Sequence, residues 1–208
     1  MKGLYLVTPD WDDTERLLRV TKEALGAGAM LLQYRHKTAA PALRLEQATA
    51  LLALCRQFDC PFIVNDHIAL ALEIGADGVH VGGTDAAVAA VRVQIGPDRI
   101  LGASCYGDLD LAKAANAAGA SYVAYGGFYP SKVKKYPVTT AVDILRHSRD
   151  AVPLPSVVIG GMTPDNAAHL IAAGADMVAA ISSVYLADDP RQAAAAFAAL
   201  FDPRQNRK

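Results

Sequence analysis

The feature that most constrains the fold is an alternation of short apolar runs with longer helical segments, which occurs eight times along the chain. The predicted strands cover residues 4–9, 30–35, 62–65, 78–82, 100–105, 122–127, 157–161 and 177–182. The predicted helices lie near residues 12–27, 40–57, 67–74, 85–95, 108–119, 139–149, 164–173 and 190–201. This pattern is typical of repeated β-α units around a parallel sheet.

The approach to several strands also repeats. Four predicted helices are followed by a similar turn: Gly28-Ala29, Gly75-Ala76-Asp77, Gly119-Ala120-Ser121 and Gly174-Ala175-Asp176. A glycine just past a helix provides the left-handed residue of a cap, so the repetition predicts equivalent turns on one face. Eight units in 208 residues fit a compact (β/α)8 TIM barrel of the α/β class. A doubly wound open sheet is the alternative, but no glycine-rich dinucleotide fingerprint follows the first strand.

Composition favours a single domain over residues 1–208, with a short polar C-terminal tail from about residue 203. The chain is 52% hydrophobic and has no Ser/Gly/Pro-rich linker. Its 20 basic and 21 acidic residues argue against a nucleic-acid partner and a polybasic membrane surface. No apolar run approaches the ~20 residues of a membrane span. We therefore expect a cytoplasmic protein without a membrane partner.

Cysteines and the alanine-rich C-terminal helix are less informative. Cys55, Cys60 and Cys105 contain no CxxC pair, so we expect small buried side chains rather than a disulfide or zinc site. The segment 193–199 has small side chains that suit close helix packing. Such packing is compatible both with the barrel itself and with a homo-oligomer.

Polar residues cluster at the predicted carboxyl ends of the strands. In a TIM barrel these ends form the active-site mouth. After strands two to five the mouth would receive Gln33, Arg35, Lys37, Asn65, Asp66, His80, Asp85 and Ser104. After strands six to eight it would receive Lys132, Lys134, Lys135, Gly160, Gly161, Ile181, Ser182 and Ser183. Almost all the reactive side chains are therefore predicted at one end.

Two subsites are predicted within this mouth. Gly160-Gly161 and Ser182-Ser183 follow strands seven and eight, where barrels often bind phosphate, although the glycines could serve only tight turns. Asp66 and Asp85 follow neighbouring strands and face several cations. They could form ion pairs or bind Mg²⁺, and the number of cations favours Mg²⁺ with a diphosphate. A site of this kind stabilises a departing diphosphate.

A Ser-His-Asp triad is not indicated, because His80 has no evident partner in the sequence. The successive motifs instead resemble those of the thiamine-phosphate synthase family. They are Gln33-Tyr34-Arg35-His36-Lys37, Asn65-Asp66, Gly78-Val79-His80-Val81-Gly82 with Asp85, Gly102-Ala103-Ser104, 130–134, Ile159-Gly160-Gly161 and Ala180-Ile181-Ser182. As an ordered series they cover strands two to eight.

The resemblance implies a transferase that joins 4-amino-2-methyl-5-diphosphomethylpyrimidine to 4-methyl-5-(2-phosphoethyl)thiazole, or its carboxylated precursor, with Mg²⁺. It implies diphosphate contacts from Arg35, Lys37, Asn65 and Lys134, with Mg²⁺ bound by Asp66 and Asp85. It further implies that Gln33 and Ser104 position the pyrimidine. The residues implied for the thiazole phosphate are Ser131, Val133, Gly161, Ile181 and Ser182. Arg35, Lys37, Asn65, Ser104 and Lys134 are the implied catalytic residues.

Some positions depart from the family pattern. Gly83 and Thr84 stand where the family usually has glutamine and often an acidic residue, and Val133 replaces a threonine. A thiazole tautomerase of the same fold, a catalytically silent ligand-binding barrel and a phosphosugar isomerase remain alternatives. The isomerase would need an acid/base pair, for which Asp10 and Asp176 are candidates, although Asp176 is predicted on the opposite face.

Overall fold

The structure is a computed structural model that describes residues 1–82, 88–130 and 140–202. Its strands are β1 (Gly3–Val7), β2 (Leu31–Tyr34), β3 (Phe62–Asn65), β4 (Gly78–Val81), β5 (Ile100–Tyr106), β6 (Tyr122–Gly126), β7 (Ser156–Ile159) and β8 (Met177–Ala180). Each strand pairs with the next in parallel, and β8 pairs with β1 to close the barrel. The predicted (β/α)8 barrel is therefore confirmed.

Helices follow the strands as the sequence predicted, with one addition. They are α1 (Thr14–Leu25), α2 (Pro41–Arg56), α3 (Ile68–Ile74), α4 (Val88–Ile95), α5 (Leu109–Ala117), α6 (Asp143–Ala151), α7 (Pro164–Ala172), α8 (Ser182–Tyr185) and α9 (Pro190–Ala199). Strand eight ends at Ala180, so its predicted extension to residue 182 is wrong. Ser182 instead begins α8, whose four residues are too few to produce a readable helical period.

Side chains on each strand alternate between two hydrophobic layers. Leu4 and Leu6 of β1 belong to the layer between the strands and the helices. Tyr5 and Val7 belong to a second layer inside the barrel, together with Leu31 and Met177 from the two neighbouring strands. Alternation follows from the two-residue period of a strand. Because β1 is covered on both sides, it is apolar throughout apart from the Tyr5 hydroxyl.

The repeated turns before the strands stabilise the end of the barrel opposite the mouth. Their glycines have positive φ, as predicted for left-handed caps. The polar residue that follows accepts a hydrogen bond from an N–H at the start of the preceding strand in three cases, from its first or second residue. Asp77 accepts from Phe62 (2.7 Å), Ser121 from Leu101 (3.0 Å) and Asp176 from Ser156 (2.9 Å). Asp176 is thus a structural acceptor at the end opposite the mouth.

The cysteines and the alanine-rich helix are placed as expected in the described residues. Cys55, Cys60 and Cys105 are free and buried. Helix α9 buries Ala194 and Phe197 and packs on α1 and β1, so its small side chains contact the barrel itself. Within the described part of the chain, no helix is both long and apolar enough to cross a membrane. The predicted tail from residue 203 lies outside the described residues.

Candidate active site

The carboxyl ends of the strands bring most of the predicted site residues to one mouth. Gln33, Arg35 and Lys37 lie at or just beyond the end of β2, Asn65 and Asp66 at β3, and Ser104 on β5. Gly161 follows β7, and Ile181 and Ser182 follow β8. Six residues predicted at the mouth lie outside the described ranges: Asp85, Ser131, Lys132, Val133, Lys134 and Lys135.

Arg35 is anchored by Asp10, a residue to which no sequence motif assigned a binding role. Its Nη1 donates to both carboxylate oxygens of Asp10 at 3.1 Å, and one of these oxygens also accepts from the Lys37 N–H at 3.0 Å. Thr8 adds two hydrogen bonds to the Arg35 backbone. Arg35 is only 7% exposed, and its buried Nε has no hydrogen-bond partner among the described residues. The loop after β1 therefore fixes a buried cation that retains donor capacity.

A second charged group lies at the end of β3. The side-chain amide of Asn65 donates to Oδ2 of Asp66, and Lys37 Nζ lies 4.0 Å from the same oxygen. Asp66 has a φ of +61°, and its N–H donates to the His80 carbonyl on β4 at 2.9 Å. This backbone conformation is uncommon for a residue other than glycine. The turn thus places a carboxylate, an amide and an ammonium together.

Inside the barrel, a chain of hydrogen bonds connects Gln33 to Ser104. Gln33 Nε2 donates to the Tyr5 hydroxyl (2.7 Å), which is 2.6 Å from the Tyr122 hydroxyl. Tyr122 contacts His80 Nδ1 at 2.9 Å, and His80 Nε2 contacts the Ser104 hydroxyl at 2.9 Å. The expectation that His80 has no partner is therefore wrong. Its partners come from β5 and β6, and only the barrel register brings them near.

Burial keeps the two phenols of this chain protonated. Tyr5 and Tyr122 are fully enclosed, and burial raises the pKa of each hydroxyl well above its ordinary value. Gly102 creates the space for the contact between Tyr122 and His80, since a Cβ there would lie 2.1 Å from the phenol oxygen and 2.5 Å from Nδ1. A glycine within a strand often marks such a close approach.

The opposite side of the mouth is formed by backbone turns. Gly161 has a φ of +62°, and a Cβ on it would lie 2.4 Å from the Pro130 carbonyl oxygen. Tyr129 donates its N–H to the Gly160 carbonyl at 3.2 Å, and Thr140 donates to the Gly127 carbonyl at 2.9 Å. The residues that flank 131–139 are therefore attached at the mouth, beside the glycines.

Helix α7 begins with an N-cap at Thr163. Thr163 and Asn166 form a capping box, and Pro164 occupies the first turn. The Asn166 side chain also donates to the Gly161 carbonyl at 2.9 Å, which fixes the turn after β7. These bonds use groups at the start of α7. Backbone N–H groups of the glycine turn and of the first turn of α8 are therefore the better anion donors here.

The family model described as TMP-TENI, thiamine monophosphate synthase, matches residues 4–184. The chain belongs to this family. A thiamine-phosphate synthase of Janthinobacterium sp. (strain Marseille) is 69% identical over 201 residues, covering 97% of each chain. One from Nitrosospira multiformis is 48% identical and covers 96% of this chain and 85% of its own length. The structure of a thiamine phosphate pyrophosphorylase from Pyrococcus furiosus has a TM-score of 0.84 at 33% identity, covering 95% and 94% of the two chains.

Membership in the thiamine monophosphate synthase family confirms the resemblance inferred from the ordered motifs. These relatives carry the names thiamine-phosphate synthase and thiamine phosphate pyrophosphorylase rather than that of a tautomerase or an isomerase. Asp10 also has a structural explanation as the partner of Arg35, which removes the reason to nominate it as an isomerase acid. The site is therefore best interpreted as that of a transferase.

Asp66 is a candidate magnesium ligand among the described residues. Over residues 1–82, 88–130 and 140–202, no group of three or more His, Cys, Asp or Glu side chains could hold a metal ion. Mg²⁺ does not require such a group, because it commonly takes one or two carboxylates together with phosphate oxygens and water. The Asp66 carboxylate at the mouth fits that donor set. Asp85, the predicted second ligand, lies outside the described residues.

Proposed function

We propose that this mouth joins 4-amino-2-methyl-5-diphosphomethylpyrimidine to 4-methyl-5-(2-phosphoethyl)thiazole, or its carboxylated precursor, forming thiamine phosphate and diphosphate. The observation that carries the proposal is the cluster of Arg35, Lys37, Asn65 and Asp66 at the ends of adjacent strands. A glycine turn and a short helix after β7 and β8 complete the same mouth. The even charge balance supports small-molecule substrates over a nucleic acid.

The cationic group would stabilise the leaving diphosphate. When the bond between the pyrimidine methylene and its oxygen breaks, the electron pair leaves with the diphosphate. The Arg35 guanidinium has a buried Nε without a partner in the described residues and can donate to that oxygen-rich group. Lys37 and Asn65 flank the same region, and Lys134 is proposed to join them. Charge stabilisation of this kind lowers the barrier to departure.

Asp66 and Asp85 would hold Mg²⁺, which when bound supplies positive charge beside the diphosphate oxygens. Asp66 meets one requirement because its carboxylate lies at the mouth. Its proximity to Lys37, at 4.0 Å, also associates it with a proposed diphosphate contact. This arrangement supports a magnesium-dependent enzyme, with Asp66 as the ligand in the described part of the site.

The second substrate would bind beside Gly161. The turn at Gly161, the buried Ile181 side chain and the start of α8 at Ser182 line a narrow pocket. Ser131 and Val133 are proposed to complete it. Backbone N–H groups suit a phosphate, whereas Ile181 suits the apolar part of a thiazole. The thiazole nitrogen would then donate its electron pair to the pyrimidine methylene carbon, forming the new C–N bond.

The experiment that tests this function is product formation from the two purified substrates with Mg²⁺. Thiamine phosphate and diphosphate should appear in equal amounts, and omission of the thiazole phosphate should stop thiamine phosphate formation. A conversion of the thiazole between tautomers without thiamine phosphate would contradict the proposal. Complete inactivity of folded protein towards both substrates would contradict it as well.

A further inference from the structure

The hydrogen-bond chain through the barrel interior, here called the relay, is made of Gln33, Tyr5, Tyr122, His80 and Ser104. Its four contacts are 2.6 to 2.9 Å long and join residues from β2, β1, β6, β4 and β5. Gln33 and Ser104 are its two ends, and both are proposed pyrimidine contacts. The groups between them are buried: Tyr5 is 1% exposed, Tyr122 0% and His80 7%.

The number of protons in the relay fixes a relation between its ends. Gln33 Nε2 donates to Tyr5, and among the contacts of the relay the Tyr5 proton is used only if it is given to Tyr122. Tyr122 in turn donates to His80 Nδ1, so a neutral His80 carries its proton on Nε2 and donates to Ser104. The Ser104 proton is thereby left to donate towards the mouth. At the other end, Gln33 retains its carbonyl oxygen as an acceptor.

Reversing the relay requires every member to change together. If the Gln33 amide turned over, both phenols would donate in the opposite sense and His80 would change tautomer. Gln33 would then present a donor and Ser104 an acceptor. In either direction the two ends have opposite hydrogen-bonding roles. The relay therefore favours a ligand that presents one donor and one acceptor to its two ends.

We propose that Tyr5, Tyr122 and His80 are positioning residues, which give Gln33 and Ser104 opposite hydrogen-bonding roles. With one of these two residues as acceptor and the other as donor, the site recognises an amino group and a ring nitrogen on the same heterocycle. This inference rests on the proposed function, in which that heterocycle is the aminopyrimidine. An analogue with an oxo group in place of the amine and an N–H in place of the unprotonated ring nitrogen has its donor and acceptor exchanged. It could bind in the same pose only if the whole relay reversed.

The packing around the relay supports a positioning role. The Tyr122 and His80 rings stack with centroids 5.6 Å apart and planes inclined by 20°, and Tyr5 meets Tyr122 edge-on at 5.8 Å. Gly102 provides the space for the stacked pair. Beyond Ser104, the pairing of β5 with β6 shifts register between Ser104 and Tyr106. Bulges near active sites commonly re-aim a side chain.

The test uses Tyr5→Phe and Tyr122→Phe, each of which removes one relay hydroxyl and keeps the ring. Tyr125→Phe is the matched control, because Tyr125 is a buried β6 tyrosine whose hydroxyl donates to Ser148 of α6 at 2.7 Å, outside the relay. The measurements are KM for each substrate and the ratio of kcat/KM between the aminopyrimidine diphosphate and its oxo analogue. In the relay variants we expect KM for the pyrimidine to rise about fivefold to tenfold, with discrimination falling by a similar factor. KM for the thiazole phosphate should change little.

Unchanged pyrimidine KM and discrimination in both relay variants would overturn the inference, as would equal losses in Tyr125→Phe. If wild-type protein makes no thiamine phosphate, the proposed function itself fails, and the assignment of the heterocycle fails with it. If the relay variants do not fold, a measurement on the wild-type protein tests the inference instead. The ¹⁵N NMR shifts of His80 in the pyrimidine-bound state should show a single tautomer, because the bound ligand sets one direction of the whole relay, and a mixture of the two tautomers would overturn the inference.

Discussion

Replacing Asp10 with asparagine tests how the mouth holds its main buried cation. In the wild-type chain, Asp10 accepts from Arg35 Nη1 through both oxygens and from the Lys37 N–H through one. Asparagine has nearly the same size and can keep the bond to Lys37. Its NH₂ group would then point at the Arg35 donor. The substitution therefore removes the counter-charge of Arg35 while leaving the shape of the loop almost unchanged.

The expected loss of stability follows from the burial of the Asp10–Arg35 ion pair. Loss of one partner of a fully buried ion pair costs ~3–5 kcal/mol, but the Asp10 side chain is 34% exposed and water can replace part of the interaction. We therefore expect the free energy of unfolding to fall by about 2 kcal/mol. In a domain of this size that corresponds to a Tm lower by roughly 4–8 °C. Because Arg35 also loses its fixed orientation, kcat/KM for the pyrimidine diphosphate should fall roughly 10- to 100-fold.

The chain offers a matched control at the other end of the barrel. Both carboxylate oxygens of Asp77 accept from Arg56 Nη1, each at 2.9 Å. One of them also accepts from the backbone N–H of Phe62 at 2.7 Å. Asp77→Asn should lower Tm without changing kcat/KM. Thermal unfolding and steady-state kinetics on both variants separate the two effects. Wild-type kcat/KM in a destabilised Asp10→Asn variant would refute the positioning role.

The remaining predictions concern the metal, the lysine stretch and the glycine turn. Asp66→Ala and Asp85→Ala should each lower turnover and raise the Mg²⁺ concentration needed for half-maximal activity, whereas unchanged metal dependence in both would remove the metal assignment. Lys134→Ala should lower kcat/KM at least tenfold more than Lys132→Ala, on the basis of one charge-assisted hydrogen bond, and equal losses would indicate only diffuse charge. Gly161→Ala should raise KM for the thiazole phosphate, because a Cβ there would lie 2.4 Å from a backbone carbonyl oxygen. An unchanged KM would contradict that pocket.

The fold could be predicted largely because its information is local and repeated. Each strand and its following helix produce their own hydrophobic periods, and glycine marks the turns between them. The observed strands begin and end within two residues of the predicted ones. The wrong prediction at the end of β8 also has a local cause. Ile181 has φ −119° and ψ −90° between β8 and α8, and no periodic pattern reports a helix of four residues.

The site could be predicted only where position along a strand was sufficient. Strand ends identified Arg35 and Asp66, but not the partners that orient them. Asp10 contacts Arg35 across 25 residues of sequence, and His80 meets Tyr122 across 42. Such pairs depend on which strands are neighbours and on their register. The closed barrel supplies that information, so the hydrogen bonds of Tyr5 and Tyr122 could not be predicted from the sequence.

The most direct measurement of the central claim is a crystal structure with thiamine phosphate, diphosphate and Mg²⁺ bound. Diphosphate oxygens should lie within hydrogen-bond distance of Arg35 and Asn65, and Asp66 should contact the metal directly or through water. The phosphate of the product should lie beside Gly161 and Ser182. Diphosphate bound away from the carboxyl ends of the strands, or a metal with no ligand from Asp66 or Asp85, would contradict the account.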